Sequence, residues 1–239
     1  GINSFLLGVA NESDPVELNS NKGNSFRGHV ALGMGFTFGK SDGNDSSSPI
    51  ELMENLISRD PKNKQLIHPY IGGAEINSSP VHSHERYIIS FEAMSLKEAQ
   101  KWPDLLNLVQ EKVLPERAKI GGYSVAENRK KNWWLFGTYA SAMQSSILNL
   151  SRCLVLSRVQ GNHAITFKET DVYFSDAVVV FPFSSENAFS VLQTRVHEVW
   201  ARFLGSSMKD DLRYTSSDCF ETFPFPPKWE TNAALEEAG

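Results

Sequence analysis

Cysteine is nearly missing. Cys153 and Cys219 are the only two in 239 residues, which excludes a disulfide framework and an all-cysteine zinc site and suits a reducing compartment. Long apolar runs are missing too. The longest, residues 177–183, falls far short of the roughly 20 residues of a membrane helix. No basic stretch followed by an apolar one opens the chain, so no signal peptide is visible and a cytoplasmic location is expected. Basic charge is not in excess: the formal net charge of −5 excludes a wholly basic nucleic-acid binder. There is no Walker loop, and Gly33-Met-Gly35 lacks the further spaced glycine of a dinucleotide-binding turn. His82-Ser-His84 has no carboxylate or thiol at ligand spacing. His197-Glu198 has Ala201 where a zincin motif needs its second histidine. No catalytic set and no metal set is expected.

What is present is an ordinary globular composition, 41% hydrophobic and 21% charged, enough for one large domain or two small ones. The charge is divided. Residues 117–168 hold eight Lys/Arg and one acid, Glu127, while the rest of the chain holds 15 basic residues against 27 acidic ones. Such a division aims one surface at a polyanion. The opening without an initiator methionine and the polar close at 230–239 read as the ends of an excised domain.

Residues 11–24 and 41–48 read as polar loops, and the glycines at 28, 33, 35 and 39 as breaks between short strands. Ser48-Pro49-Ile-Glu51 is expected to open a helix, with Ser48 as N-cap, that ends before Asp60-Pro61. Residues 67–76 read as an apolar turn and 87–92 as a strand. Ser95-x-x-Glu98 is a capping box, and Pro103 breaks the helical pattern behind it. A linker is expected at 115–130, a helix at 133–148, and strands at 152–158 and 163–168 joined by a Val159-Gln-Gly-Asn162 hairpin. Strands at 172–174 and 177–183 precede a helix over 188–203 closed by Gly205. Phe220, Phe223 and Phe225 belong to an extended Phe/Pro strap. The sum is an α+β fold of two lobes, with mixed and antiparallel sheets, hairpins and flanking helices. Residues 1–24 form a polar segment left from a longer chain, 25–227 the domain proper with lobes at 25–115 and 130–227, and 228–239 a polar tail.

Lysine and arginine supply affinity for phosphates, and side chains on base edges supply sequence choice. Arg129, Lys130, Lys131, Arg152 and Lys168 are the candidate DNA backbone contacts. Arg158, Gln160, Asn162 and His163, at the expected hairpin, are the side-chain types that bond guanine or adenine edges and are the candidate base contacts. Trp133, Trp134 and Trp200 read as core anchors, and Arg213, Tyr214, Asp218 and Glu221 as packing or capping groups. Two rivals exist. Pro103-Asp104 followed by Gln110-Glu-Lys112 faintly matches a PD-(D/E)xK nuclease core, although Gln110 stands where an acid is needed and the stretch has helical spacing. The Phe/Pro strap could dock a partner protein.

The stretch Arg195-Val-His-Glu-Val-Trp-Ala-Arg-Phe-Leu-Gly-Ser-Ser207, followed by Leu212-Arg-Tyr-Thr-Ser-Ser-Asp-Cys-Phe-Glu-Thr-Phe-Pro-Phe-Pro226, resembles the end of a target-recognition domain. The family is that of the MmeI-like type IIL/IIG restriction–modification enzymes and related adenine-specific DNA methyltransferases. Phe26-Arg-Gly28 with Gly33-Met-Gly-Phe36, Ile67-x-Pro-Tyr-Ile-Gly-Gly73, Tyr87-Ile-Ile-Ser-Phe91, Val113-x-Pro-x-Arg117 and Trp133-Trp-x-Phe136 match its other signatures in order, so the resemblance spans about residues 25–227. It implies double-stranded DNA as partner. For a parent chain it implies S-adenosylmethionine, a methyltransferase domain and, in type IIL enzymes, a nuclease. This chain has no glycine-rich cofactor loop, and Phe225-Pro-Pro-Lys228 lacks both flanking residues of the catalytic Asn-Pro-Pro-Tyr motif. No cofactor is therefore expected within it.

Overall fold

The computed structural model describes residues 15–39, 47–79, 81–121, 124–208 and 211–239. Residues 41–46 of the loop expected at 41–48 and the start of the N-terminal segment, residues 1–14, lie outside the described residues. In chain order the elements are β1 (Phe26–Arg27), β2 (Thr37–Gly39), α1 (Ile50–Arg59), β3 (Ile67–Ile71), α2 (Gly73–Ser78), β4 (Arg86–Ile89), α3 (Leu96–Ala99), α4 (Pro103–Ala118), α5 (Ser124–Lys131) and α6 (Ser141–Ile147). There follow β5 (Arg152–Ser157), β6 (Val159–Gln160), β7 (Thr166–Glu169), β8 (Tyr173–Phe174), β9 (Val178–Phe181), α7 (Glu186–Leu192), α8 (Arg195–Leu204), β10 (Ser206–Met208), β11 (Asp211–Arg213) and α9 (Ala233–Ala238). The expected α+β class holds.

Among the described residues three sheets form, in the orders β2-β4-β3-β8, β1-β9-β5-β7 and β10-β11-β6. All pairings between these strands are antiparallel except β3 with β8. Two strands are exchanged between the halves of the chain. β1 lies beside β9, and β8 lies beside β3. The exchange turns a tight corner at Gly28, whose N–H donates to the Val178 carbonyl while the His29 N–H donates to Phe174. A Cβ on Gly28 would sit 2.2 Å from the Ser175 carbonyl oxygen, so no side chain fits there.

The apolar run at 177–183 is continuous because both faces of its sheet are covered. Leu154, Leu156, Val179 and Phe181 point to one core with Tyr214 and Phe220. Cys153, Val155, Val178 and Val180 point to another with Ile71, Met143 and Ile147. A third core gathers Phe36, Phe38, Ile88 and Ile89 against Leu105, Val109 and Val113 of α4.

Local signals were honoured where nothing distant competed. Ser95 and Glu98 cap α3 reciprocally, and Pro103 stands in the first turn of α4. Elsewhere tertiary pairing won. Ser48 pairs its backbone with Thr37 and Gly39, so Pro49 takes the N-cap position of α1. The apolar turn at 67–76 is instead β3 followed by α2, because β3 is drawn into the sheet between β4 and β8. The linker at 115–130 is largely helical, as the end of α4 and α5. The helix at 133–148 is cut to α6, because Thr138 and Val30 exchange backbone hydrogen bonds of 3.0 Å. The helix at 188–203 divides into α7 and α8 where the Thr194 side chain caps the His197 N–H. The strap turns its rings inward: Phe220 and Phe223 are buried and Phe225 is half-buried, while Pro224, Pro226 and Pro227 stay exposed.

Candidate nucleic-acid interface

The loop between β5 and β7 is wider than a tight hairpin. Arg158 follows β5; its N–H donates to the Ala177 carbonyl (2.8 Å) and its carbonyl accepts from the Tyr214 N–H (2.8 Å). The chain then leaves the sheet to form β6, where Val159 faces Arg213 and Gln160 faces Leu212 across the β6–β11 pair. The pleat sends the second pair inward: Gln160 and Leu212 are each 4% exposed. Gly161 and Asn162 form the exposed tip, and Arg202 of α8 donates to the Gly161 carbonyl (2.7 Å). His163 turns back inside and donates through Nε2 to the Leu192 carbonyl (2.9 Å). Gln193 fastens the return, accepting from the Ile165 N–H (2.7 Å) and donating to the His163 carbonyl (3.0 Å).

Of the four candidate base contacts, Asn162 alone stands exposed at the tip. Gln160 and His163 are buried and present no edge to a ligand, because the β6–β11 register and the end of α7 claim them. Burial holds the His163 imidazole below its ordinary pKa. Arg158 lies at the base of the loop.

The candidate backbone contacts also separate. Arg129, Lys130 and Lys131 form the last turn of α5. Lys130 Nζ pairs with Glu127 (3.0 Å), whereas exposed Lys131 has no hydrogen-bond or ion-pair partner among the described residues. Arg152 is engaged three ways: with Glu186 (2.6 Å), with the Ser184 carbonyl (3.1 Å) and over the Phe167 ring (3.9 Å). It fastens β5 to α7. Lys168 pairs with Glu169 (2.8 Å), its side chain largely covered. Arg117, the first cation of the basic span, is 1% exposed and donates to the carbonyls of Ala31, Arg129 and Asn132. The basic span is thus partly an internal scaffold.

The fold adds two cations that sequence reasoning set aside or missed. Arg213 is exposed on the outer face of β11, not a packing group. Arg27 bonds the Asp176 carboxylate and donates to its carbonyl (3.1 Å). Both lie close enough to Arg158 to depress its guanidinium pKa, after the larger effect of burial; Asp176 opposes them. The out–in alternation of Asp211-Leu-Arg-Tyr214 was the signal that would have placed Arg213 outside.

The nuclease pattern does not assemble. Gln110, Glu111 and Lys112 lie on α4, with Asp104 in its first turn paired to Arg59, and not on neighbouring strands. Among the described residues no three His, Cys, Asp or Glu side chains are placed to hold a metal, and no helix is long and apolar enough to cross a membrane.

The chain is thus an α+β domain with two exchanged strands, and Arg27, Arg158 and Arg213 gather at the base of its β5–β7 loop. The structure of the type IIL restriction–modification enzyme MmeI in complex with DNA shares the fold, with a TM-score of 0.72 and 19% identity over 99% of this chain. This chain spans 30% of that one. The type IIG restriction endonuclease BpuSI aligns with a TM-score of 0.47, 12% identity, 90% of this chain and 24% of its own. No curated protein sequence matches. The family described as "MmeI, target recognition domain" matches residues 34–227, and the chain belongs to it.

Proposed function

We propose that this chain is the DNA sequence-recognition module of a restriction–modification enzyme. One observation carries the proposal: the target-recognition family match runs over residues 34–227, on a fold shared with an enzyme solved in complex with DNA. The duplex meets the face around the β5–β7 loop. Asn162 at the tip reads a base edge, since a side-chain amide there can make paired bonds to adenine. Lys131, and Lys130 with Arg129 beside it, lie along the backbone as positioning charges. The parent enzyme is an S-adenosylmethionine-dependent adenine methyltransferase of the cytoplasm, whose methyltransferase domain supplies cofactor and chemistry and is the protein partner of this module.

Binding of this chain to labelled duplex across a salt series tests the proposal. The expected result is salt-dependent affinity in the range ~10⁻⁴ to 10⁻⁶ M at physiological salt. No binding, or binding indifferent to salt, overturns it. Calorimetry with S-adenosylmethionine is expected to show no heat, and micromolar binding would place the cofactor site in this chain.

A further inference from the structure

We infer that Arg27, Arg158 and Arg213 form a phosphate clamp that grips the duplex backbone at the base of the β5–β7 loop, an inference that rests on the DNA-recognition reading above. The three come from distant parts of the chain, and each is placed by backbone. Arg27 precedes Gly28 at the corner where β1 meets β9, Arg158 is held between Ala177 and Tyr214, and Arg213 lies opposite Val159 across the β6–β11 pair. Asp176 pairs with Arg27 and offsets them in part, and Asp211 stands on the same exposed face of β11 as Arg213. Arg158 and Arg213 make no side-chain hydrogen bond or ion pair among the described residues, and Arg158 Nε is buried without a partner. Like charges gathered beside low-dielectric protein, with a donor left unmet, cost free energy in the unliganded state. An anion relieves that cost, and forked guanidinium donors fit phosphate oxygens. The position favours backbone over base. Arg158 is set back from the Gly161–Asn162 tip, so a tip that enters a groove leaves the clamp beside the flanking phosphates.

The test is fluorescence anisotropy of the 239-residue chain with a labelled random-sequence duplex across a sodium chloride series. Duplexes recovered from a random pool are sequenced in parallel. Arg158→Gln and Arg213→Gln should each weaken binding several-fold, and the pair should flatten the log–log salt slope by ~1–2, with the same sequences recovered. Exposed Arg213→Gln is read alone if the pair loses its circular dichroism signal. Duplex binding with an unchanged slope in the variants overturns the clamp and leaves the DNA reading standing. Altered recovered sequences at an unchanged slope would make the arginines base readers and also overturn it. Inorganic phosphate that displaces the duplex far beyond chloride at matched ionic strength, with that excess lost in Arg158→Gln and the slope unchanged, would assign the site to a free anion instead. No duplex binding by the unaltered chain overturns the recognition reading and the clamp with it.

Discussion

The imidazoles of His163 and His197 share one acceptor, the carbonyl oxygen of Leu192, at 2.9 and 2.7 Å. Leu192 ends α7, and its carbonyl is one of those a helix leaves unpaired at its C-terminus. His197 Nδ1 therefore donates to Leu192, and its Nε2 accepts from the Tyr214 hydroxyl (3.0 Å). This junction ties α7, α8 and the end of β11 behind the β5–β7 loop, and burial favours the neutral form of His197.

Acid should loosen it. Burial, the largest cause, lowers His197 to about 4 from an ordinary 6.5, and lowers His29 to about 4 in the same way. A folded-state pKa below the unfolded one means that the unfolded chain binds more protons between the two values. Stability is then full above about pH 6.5 and is lost as pH falls toward 4, by roughly 2 kcal/mol per imidazole at pH 5. Urea midpoints at pH 7.5 and pH 5 measure it, and equal midpoints would contradict the neutral junction.

Asn162 and Gln160 are two positions apart but face opposite ways, exposed and 4% exposed respectively. Asn162→Ala should relax one position of the sequences recovered from a random duplex pool, worth ~1–3 kcal/mol of discrimination, with the thermal midpoint unchanged. Gln160→Ala should change stability and leave the recovered sequences as they were. The opposite pattern would mean that the β6–β11 register opens on DNA.

Lys131 and Lys130 differ in what they already hold. Lys131→Ala should flatten the salt slope by ~0.9, the value of one phosphate contact. Lys130→Ala should flatten it less, because its ammonium is shared with Glu127. Equal effects in the anisotropy series would show that the Glu127 pair dissolves in the complex.

Arg117 is a structural cation. Its guanidinium reaches Ala31 (3.1 Å), Arg129 (3.3 Å) and Asn132 (3.2 Å), and stacks over Phe36. Burial, with Arg129 adding to it, lowers its pKa to about 10, which leaves it charged at neutral pH. Arg117→Met keeps much of the volume and strands buried carbonyls, at about 2–3 kcal/mol. Hydrogen exchange should speed up at residues 124–132 before it does in β5 and β9. Uniform protection would deny Arg117 this role.

The buried pair Glu75–Arg86 joins α2 to β4, with contacts of 2.7 and 2.8 Å and both side chains 9% exposed. Its Coulombic gain offsets its own desolvation only while both partners stand. Glu75→Gln alone should cost about 3–5 kcal/mol in denaturant titration, and Glu75→Gln with Arg86→Met should recover part of that. A double variant as unstable as the sum of the two singles would show no coupling.

The sequence by itself determined whatever a short window encodes. The capping box at Ser95, the break at Pro103 and the unbroken apolar run that became β9 are local statements about caps, ring sterics and two-sided burial. The ordered family signatures placed the chain in its family. The tertiary structure alone decided which polar groups reach the surface. Side-chain direction in a strand depends on pairing phase, and a shift of one residue reverses every face. The pairing of residues 159–160 with β11 turned Gln160 inward and Arg213 outward, and the exchange of β1 brought Arg27 beside Arg158. Those contacts join residues more than 50 positions apart, a separation over which neither hydrophobic period nor charge count carries information about what meets.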